Sequence, residues 1–327
     1  MDVPAFVETF NPVYYAIPLF ILLVAIEMIH ARLTGSARFE ARDSASSLMM
    51  GLGSTVSGVL FAGLVTAWAM FVYQFRLFDI GFAWWVWPVA FIFDDFMYYW
   101  VHRLGHTVRW FWADHIVHHS SQHYNLTTAL RQSWLGPLTL KFLWLGSVMI
   151  LIGFHPLVIG IVSGFNLIYQ FWFHTEAIKK MPAWFEAVMN TPSHHRVHHA
   201  TNPIYLDRNF AGVFIIWDKM FGTFQPELED EKCRYGIIHN IDTHNPFKIA
   251  IHEWLSVFRD MRGAKSLKDA MMYLLAPPGW TPDGSRATSK QIKARWLART
   301  GGVAPSTAAA AHEAPASPAA ASHTAAE

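Results

Sequence analysis

Five stretches of the chain are almost purely apolar, and their lengths suggest the architecture. Residues 13–29 and 48–73 are long enough to cross a bilayer as helices, the second with tilt. Residues 82–101 supply a third run, whose 20 residues would extend about 30 Å as helix. Residues 138–152 and 157–173 are shorter, and Gly153-Phe154-His155-Pro156 joins them as a hairpin that crosses the bilayer partly or fully. The pattern predicts an all-α integral membrane bundle of four to five apolar segments, some of them hairpins.

The polar positions between these runs predict an orientation. Arg32, Arg38 and Arg42 follow the first run, but only Arg76 follows the second. Arg103, Arg109 and Arg131 follow the third, and Lys179, Lys180 and Arg196 follow the fifth. The positive-inside rule then places the N-terminus outside and these basic segments in the cytoplasm. Beyond residue 202 the pattern changes to that of a cytoplasmic cap. Residues 249–261 and 267–275 are predicted amphipathic helices lying against the membrane or the metal domain. From Gly301 onward an Ala/Pro/Ser/Thr tail without large apolar residues after Val303 predicts disorder.

Composition agrees with a membrane protein. The 327 residues are 53% hydrophobic and only 15% charged, where ordinary soluble domains are about a quarter charged. The 15 Trp and 25 Phe suit membrane interfaces. A net charge of +1 gives no sign of nucleic-acid binding. A single cysteine, Cys233, excludes an internal disulfide and any thiolate-rich metal site. Asp2 and Glu8 make the start acidic, unlike a cleaved signal peptide, so the first apolar run is expected to stay as an anchor.

The candidate chemistry lies in the histidines. His102 and His106 form H-x-x-x-H; His115, His118 and His119 form H-x-x-H-H, repeated by His195, His198 and His199. Residues three or four apart share a helix face, so each cluster can aim its rings at one point. By the predicted topology all three clusters lie on the cytoplasmic side. Imidazole suits iron, zinc, copper and nickel. A zinc takes about three or four protein ligands, whereas eight histidines are enough for two metals. Two irons with open positions can activate dioxygen for attack on an unactivated C–H bond. Neutral ligands leave such a pair highly charged, so carboxylates are expected to orient ring N–H groups, with Asp94, Asp95 and Asp114 nearby.

Other residues carry weaker readings. His174 follows the fifth run and could complete the metal shell; His194 points elsewhere on its helix, towards a supporting or substrate contact. His123 could join the His119 face. His155, in the far turn, and His239, His244 and His252, in the cap, read as ordinary histidines. Asn125, Thr128, Arg131 and Gln132 fall at the membrane edge, where they could bind a polar lipid head or an electron donor, or simply cap a helix. Trp217, Asp218 and Lys219 are expected to dock the cap beneath the metal site. His252-Glu253 lacks the second histidine of a zinc-protease motif, and no G-x-G-x-x-G marks a nicotinamide site. Electrons must then come from an external donor.

DDFMYYWVHRLGH, HIVHHSSQHYNLTTALRQS, QFWFHTE, NTPSHHRVHHATN and NFAGVFIIWDKMFGTF together resemble the fatty acid hydroxylase and sterol desaturase superfamily. YNLTTALRQS, FHTE and TPSHHRVHH look most like its alkylglycerol monooxygenase branch and bacterial relatives. The resemblance runs from about residue 91 to 224. It implies a membrane di-iron enzyme that hydroxylates or desaturates a lipid with dioxygen. It also implies metal ligation by the eight clustered histidines, with His174 as an additional ligand. The alkylglycerol branch resembles H-R-x-x-H-E, with a glutamate tied to tetrahydrobiopterin; Thr107 stands there instead. The ligand positions therefore carry over, while the pterin and the ether-lipid substrate do not carry over with them. An electron-transfer protein is the other candidate donor.

The expected organisation is then residues 1–90 as membrane anchor, 91–225 as a fatty acid hydroxylase-like di-iron domain including the hairpin, 226–300 as helical cap and 301–327 as tail. The substrate would be a membrane lipid. Hydroxylation leads desaturation, with which it shares hydrogen abstraction. A metal transporter would hold ligands near the bilayer midplane, whereas these clusters follow span ends. A zinc-loaded scaffold is the remaining rival.

Overall fold

Asn11 accepts a hydrogen bond from the Val13 backbone, and Pro12 occupies the first helical turn. A cap and a proline thus start a helix where the first apolar run begins. The computed structural model describes residues 4–143 and 145–300; the tail from Gly301 lies outside the described residues. A short α1 (Ala5–Thr9) leads into α2 (Pro12–Thr34), which stops at Gly35 in a left-handed conformation. Glu40 caps α3 (Ala41–Tyr73) by accepting from the Arg42 and Asp43 backbones. Both long helices are apolar enough to cross a membrane, with only 17% and 11% of their apolar windows buried. A core helix of a soluble protein would hide that surface; these two present it outward.

α4 (Val86–Thr107) carries the third run and continues through His102 and His106. α5 (Arg109–His119) and α6 (Leu126–Ala129) follow. The fourth run is not one helix. Gly136–Thr139 and Lys141–Leu143 are 3-10 turns, separated by Leu140 in a left-handed conformation, and only then does α7 (Leu145–Ile152) begin. Its 8 residues reach about 12 Å, too short to span. α8 (Pro156–Trp172) carries the fifth run. Two helices meet the length and hydropathy of a full span among the described residues, so of the arrangements the apolar runs allow, four spans or two with hairpins, the second fits. α9 (Ala183–Glu186), α10 (Pro192–His198) and α11 (Ile216–Met220) complete the central region. α12 (Pro246–Arg262), α13 (Leu267–Leu275) and α14 (Ser289–Arg299) form the C-terminal part. No strand occurs among the described residues, only isolated bridges at Met189–Phe214 and Ala200–Tyr235. The chain is all-α, as its periodicity predicts.

Packing explains why the histidines meet. Val86 and Ala90 of α4 pack with Met149, Phe154, Val158 and Val162, which brings α4 against α7 and α8. At one end, the Leu77 backbone donates to Leu151 and the Tyr73 ring meets His155, so the turn after α7 closes on the end of α3. His155 caps α8 there, far from the other histidines. At the opposite end lie the start of α3, the last turns of α2, and the C-terminal ends of α4 and α8. Asp43 reaches Arg131 and Ser121, and Glu27 accepts from the Leu126 backbone and Thr175. α12 covers this end, with Ile249 and Ala250 against Met50 and Val117, and Trp254 and Val257 against Ala113. Buried Arg109 fastens it, donating to Glu253 at 2.8 Å and Asp260 at 2.6 Å.

Candidate metal centre

Helical spacing places His102 and His106 on one face of α4, His115, His118 and His119 on α5, and His195 and His198 on α10 with His199 at its cap. His174 follows the end of α8. These nine rings form two groups: His102, His106, His115, His119 and His198 in one, and His118, His174, His195 and His199 in the other. Within each group the ligand atoms lie within 4.8 Å of one another, and all but partly buried His115 are buried. The ring planes of His119 and His199 stack at 4.3 Å, joining the groups.

Their tautomers decide what the groups can hold. The Nδ1 atoms of His102, His118, His174 and His198 face the carbonyls of Phe210, Arg131, Gln170 and Arg208. A carbonyl only accepts, so each Nδ1 carries the proton and each Nε2 is a bare lone pair. The His118 and His174 Nε2 atoms nevertheless lie 3.2 Å apart, and His102 Nε2 lies 2.9 Å from His115 Nε2. The buried Nε2 atoms of His106 and His198 have no hydrogen-bond partner. Proton gain does not relieve this crowding. Burial pushes His118 down to about 4 and holds His115, His119, His174, His195, His198 and His199 well below the ordinary histidine range. Converging lone pairs on neutral rings suit a cation. Metal–nitrogen bonds of about 2.1 Å would set adjacent octahedral ligands about 3 Å apart, close to these separations.

Carboxylates were expected to orient the rings, and mostly they do not: backbone carbonyls do. Asp95 is buried and accepts from the Val213 and Phe214 backbones, Trp217 Nε1 and Asn166. Asp218 accepts from the Phe210 and Ala211 backbones and from Thr223. Together they brace residues 210–214, which offer the Phe210 carbonyl to His102. Trp217 and Asp218 thus fix this loop beside the histidines, and Lys219 donates to the Glu186 and Ala187 carbonyls. Gly212 permits the approach, since a Cβ there would lie 2.6 Å from Asp95 Oδ1. Asp94 accepts from Ser163 and Asn166 inside the helix packing, and Asp114 pairs with Lys141 at 3.0 Å. The carboxylate that does face a ring is Asp207, 3.5 Å from His106 Nδ1. Asp207 and Asn209 both adopt positive φ, which turns this loop's carbonyls towards the rings. Sequence reading passed over it because main-chain acceptors leave no residue-type signature.

Of the two readings of the residues at the membrane edge, lipid contact or helix capping, the structure shows the capping contacts. Asn125 and Thr128 form a capping box on α6. Arg131 is fully buried, donating to Asp43 at 2.9 Å and to Ser120 and Ser47. Gln132 bonds the Ala129 carbonyl at the surface. Asn125, Thr128 and Arg131 are buried in these contacts, which hold the loop together, whereas Gln132 is exposed. His194 faces Glu186 and Phe224 outside both groups, and burial lowers it to about 4. His123 belongs to neither group. Two buried acids escaped notice, Glu27 and Asp43; an acidic residue within an apolar helix was the available signal.

Two cavities adjoin the centre. One, of about 320 Å³, lies beneath the C-terminal helices and is lined by His106, His119, His198, Arg109, Asp207 and Glu253, among others. The other, of about 240 Å³, lies between α4, α7 and α8, lined by Met97, Tyr98, Val101, Met149, Leu167 and Gln170 among others. Tyr98 packs on His102, and the Gln170 carbonyl holds His174.

The Fatty acid hydroxylase family model matches residues 87–223, the span that contains all nine rings and the bracing loop. The chain is 39% identical to an alkylglycerol monooxygenase of Xenopus tropicalis, over 87% of this chain and 62% of that protein. It is 38% identical to the Homo sapiens alkylglycerol monooxygenase, over 83% and 60%. An ornithine lipid hydroxylase of Rhizobium tropici is 24% identical over 46% and 47%. The chain spans about three fifths of the length of the alkylglycerol monooxygenases it matches. No solved structure matches the chain. Over residues 87–223 the chain is therefore similar to the fatty acid hydroxylase family.

Proposed function

We propose that the chain is a membrane oxygenase that uses dioxygen to hydroxylate a C–H bond of a lipid, with two irons held by the two histidine groups. The observation that carries this reading is the convergence of imidazole nitrogens in two groups, five rings in one and four in the other, with Nε2 free of its proton on His102, His118, His174 and His198. Nine imidazoles exceed the needs of one structural zinc. Bound iron would supply the binding and reduction of dioxygen that cleavage of an unactivated C–H bond requires. The chain's own residues do the rest. Carbonyls of Arg131, Gln170, Arg208 and Phe210 fix ring orientation and tautomer, and burial keeps the rings neutral and able to ligate.

The cleft between α4, α7 and α8 suits an apolar chain, since Met97, Val101, Met149 and Leu167 line it and Tyr98 leads to His102. The cavity beneath the C-terminal helices is the more polar approach, suited to an external electron donor. Thr107 has no carboxylate to offer a pterin, and its hydroxyl donates to the Arg103 carbonyl of its own helix. The basic segments favour a cytoplasmic position for this end of the helices. The alkylglycerol and ornithine lipid relatives favour hydroxylation of a polar lipid over desaturation.

The test incubates membranes holding the chain with mixed lipids, a reductant and isotopically labelled dioxygen, followed by lipid mass spectrometry. A lipid gaining one labelled oxygen atom supports the proposal. A lipid losing two hydrogens makes the chain a desaturase, and no change in any lipid overturns the oxygenase reading.

A further inference from the structure

α12 and α13 each have one side turned to the protein and one side exposed. On α12 the exposed positions are Phe247, Lys248, Ile251, Leu255, Phe258, Arg259 and Arg262. At about 100° per residue they occupy a single arc of about 120° with no acid: apolar along one side (Phe247, Phe258, Ile251), basic along the other (Lys248, Arg259), with Arg262 and Leu255 between. The helix's acids, Glu253 and Asp260, turn inward to Arg109. α13 repeats the arrangement, with Leu267, Lys268, Met271 and Leu275 exposed and Asp269 held by its Ser266 cap. Lys265 lies exposed in the connection.

This surface is continuous with the outward face of α3. Met50 of α3 packs with Ile249 and Ala250. Trp134 donates to the Met50 carbonyl and meets the Phe247 ring at 5.2 Å. Beside them Leu48, Met49 and Leu52 are exposed on α3. An apolar belt therefore runs from a helix long enough to cross a bilayer onto α12. Helices with apolar faces edged by lysine and arginine sit in the headgroup region of anionic membranes, with long basic side chains reaching up to phosphate.

We infer that α12 and α13 form an interfacial hairpin, lying flat in an anionic lipid surface and closing the metal centre from its rim. The inner face of α12 lines the 320 Å³ cavity with His252, Glu253 and Ser256, so the same helix touches lipid outside and the centre's cavity inside. The inference rests on α3 crossing a bilayer and not on the oxygen chemistry.

The test uses the full chain with Cys233→Ser, reconstituted in vesicles of phosphatidylcholine and phosphatidylglycerol. A fluorophore is attached at Leu255→Cys, Phe258→Cys or Leu267→Cys, with Leu60→Cys on α3 as the span control and Gln291→Cys on α14 as the water control. The expected result is quenching by shallow nitroxide-labelled lipid at 255, 258 and 267, shielding from iodide there, and weaker quenching when phosphatidylglycerol is omitted. Iodide access at the three sites with lipid quenching at Leu60→Cys overturns the hairpin alone. Loss of quenching at Leu60→Cys overturns the membrane span on which it rests. Shielding from both quenchers at the three sites assigns the surface to a second protein and overturns the inference.

Discussion

His118 and His174 bring their Nε2 atoms to 3.2 Å while each ring's Nδ1 faces a carbonyl, Arg131 for one and Gln170 for the other. Both rings point lone pairs at the same place. Two neutral imidazoles so arranged repel unless a cation lies within reach of both. His118→Ala and His174→Ala are therefore expected to lower metal content and abolish turnover while leaving membrane insertion unchanged. His123→Ala, outside both groups, should retain both. Full turnover in His118→Ala would remove that ring from the centre.

Acid should destabilise the metal-free protein. The unfolded chain's histidines titrate near 6.5, whereas burial holds His118 at about 4. Between those values the unfolded state binds protons that the folded state refuses, so stability falls as pH drops from about 6.5 towards 4. The other buried ligands, also shifted down by burial, act in the same direction. Thermal unfolding of chelator-treated protein at about pH 5.5 should occur below that at about pH 7.5. An unchanged or higher midpoint at the acid value would contradict the buried, neutral rings.

Asp95 acts on the centre at one remove. In Asp95→Asn, one carboxylate oxygen becomes an NH₂ facing N–H donors among Val213, Phe214, Trp217 and Asn166. Each buried polar group left unsatisfied costs about 1–3 kcal/mol. The Phe210 carbonyl should then hold His102 less firmly, and metal affinity should fall about 10- to 100-fold. Metal titration monitors this, and unaltered affinity would separate the loop from the ligands.

Gly212→Ala tests the same loop sterically. The new Cβ would lie 2.6 Å from Asp95 Oδ1 and 2.9 Å from Asn166 Oδ1 and from Tyr98 Cδ1. Destabilisation of about 1–3 kcal/mol, read by unfolding, is the expected result. Wild-type stability would mean that the approach is looser than described.

Arg131 separates an architectural role from lipid recognition. Arg131→Met leaves the buried Asp43 carboxylate unpaired, at a cost of about 3–5 kcal/mol, and adding Asp43→Asn should restore much of it. The lipid product profile per folded protein should not change. A shifted product profile without loss of stability would return Arg131 to the substrate.

Much of the centre was legible because metal ligation demands a residue type. The spacings of His102, His115 and His195 with their partners, and the position of His174, are visible as letters. For Arg131 and Asn125 the sequence leaves lipid contact and helix capping both open, because polar residues beside an apolar run fit either. Only the fold brings Asp43 from another helix to bury Arg131. The carbonyls of Arg208 and Phe210 are invisible for a different reason, since every residue has one and only the backbone path at Asp207 and Asn209 aims them. The fourth apolar run misled in the same way. Hydropathy records burial or lipid contact, and the left-handed Leu140 that breaks the run before α7 has no hydropathic mark.

The most direct measurement is elemental analysis joined to Mössbauer spectroscopy of the chain purified from iron-57-labelled cells. Two irons per chain, depleted together by His118→Ala, is the result expected from two imidazole groups sharing one wall. One metal or none per chain, or zinc in iron's place in a protein that still oxidises lipid, would contradict it.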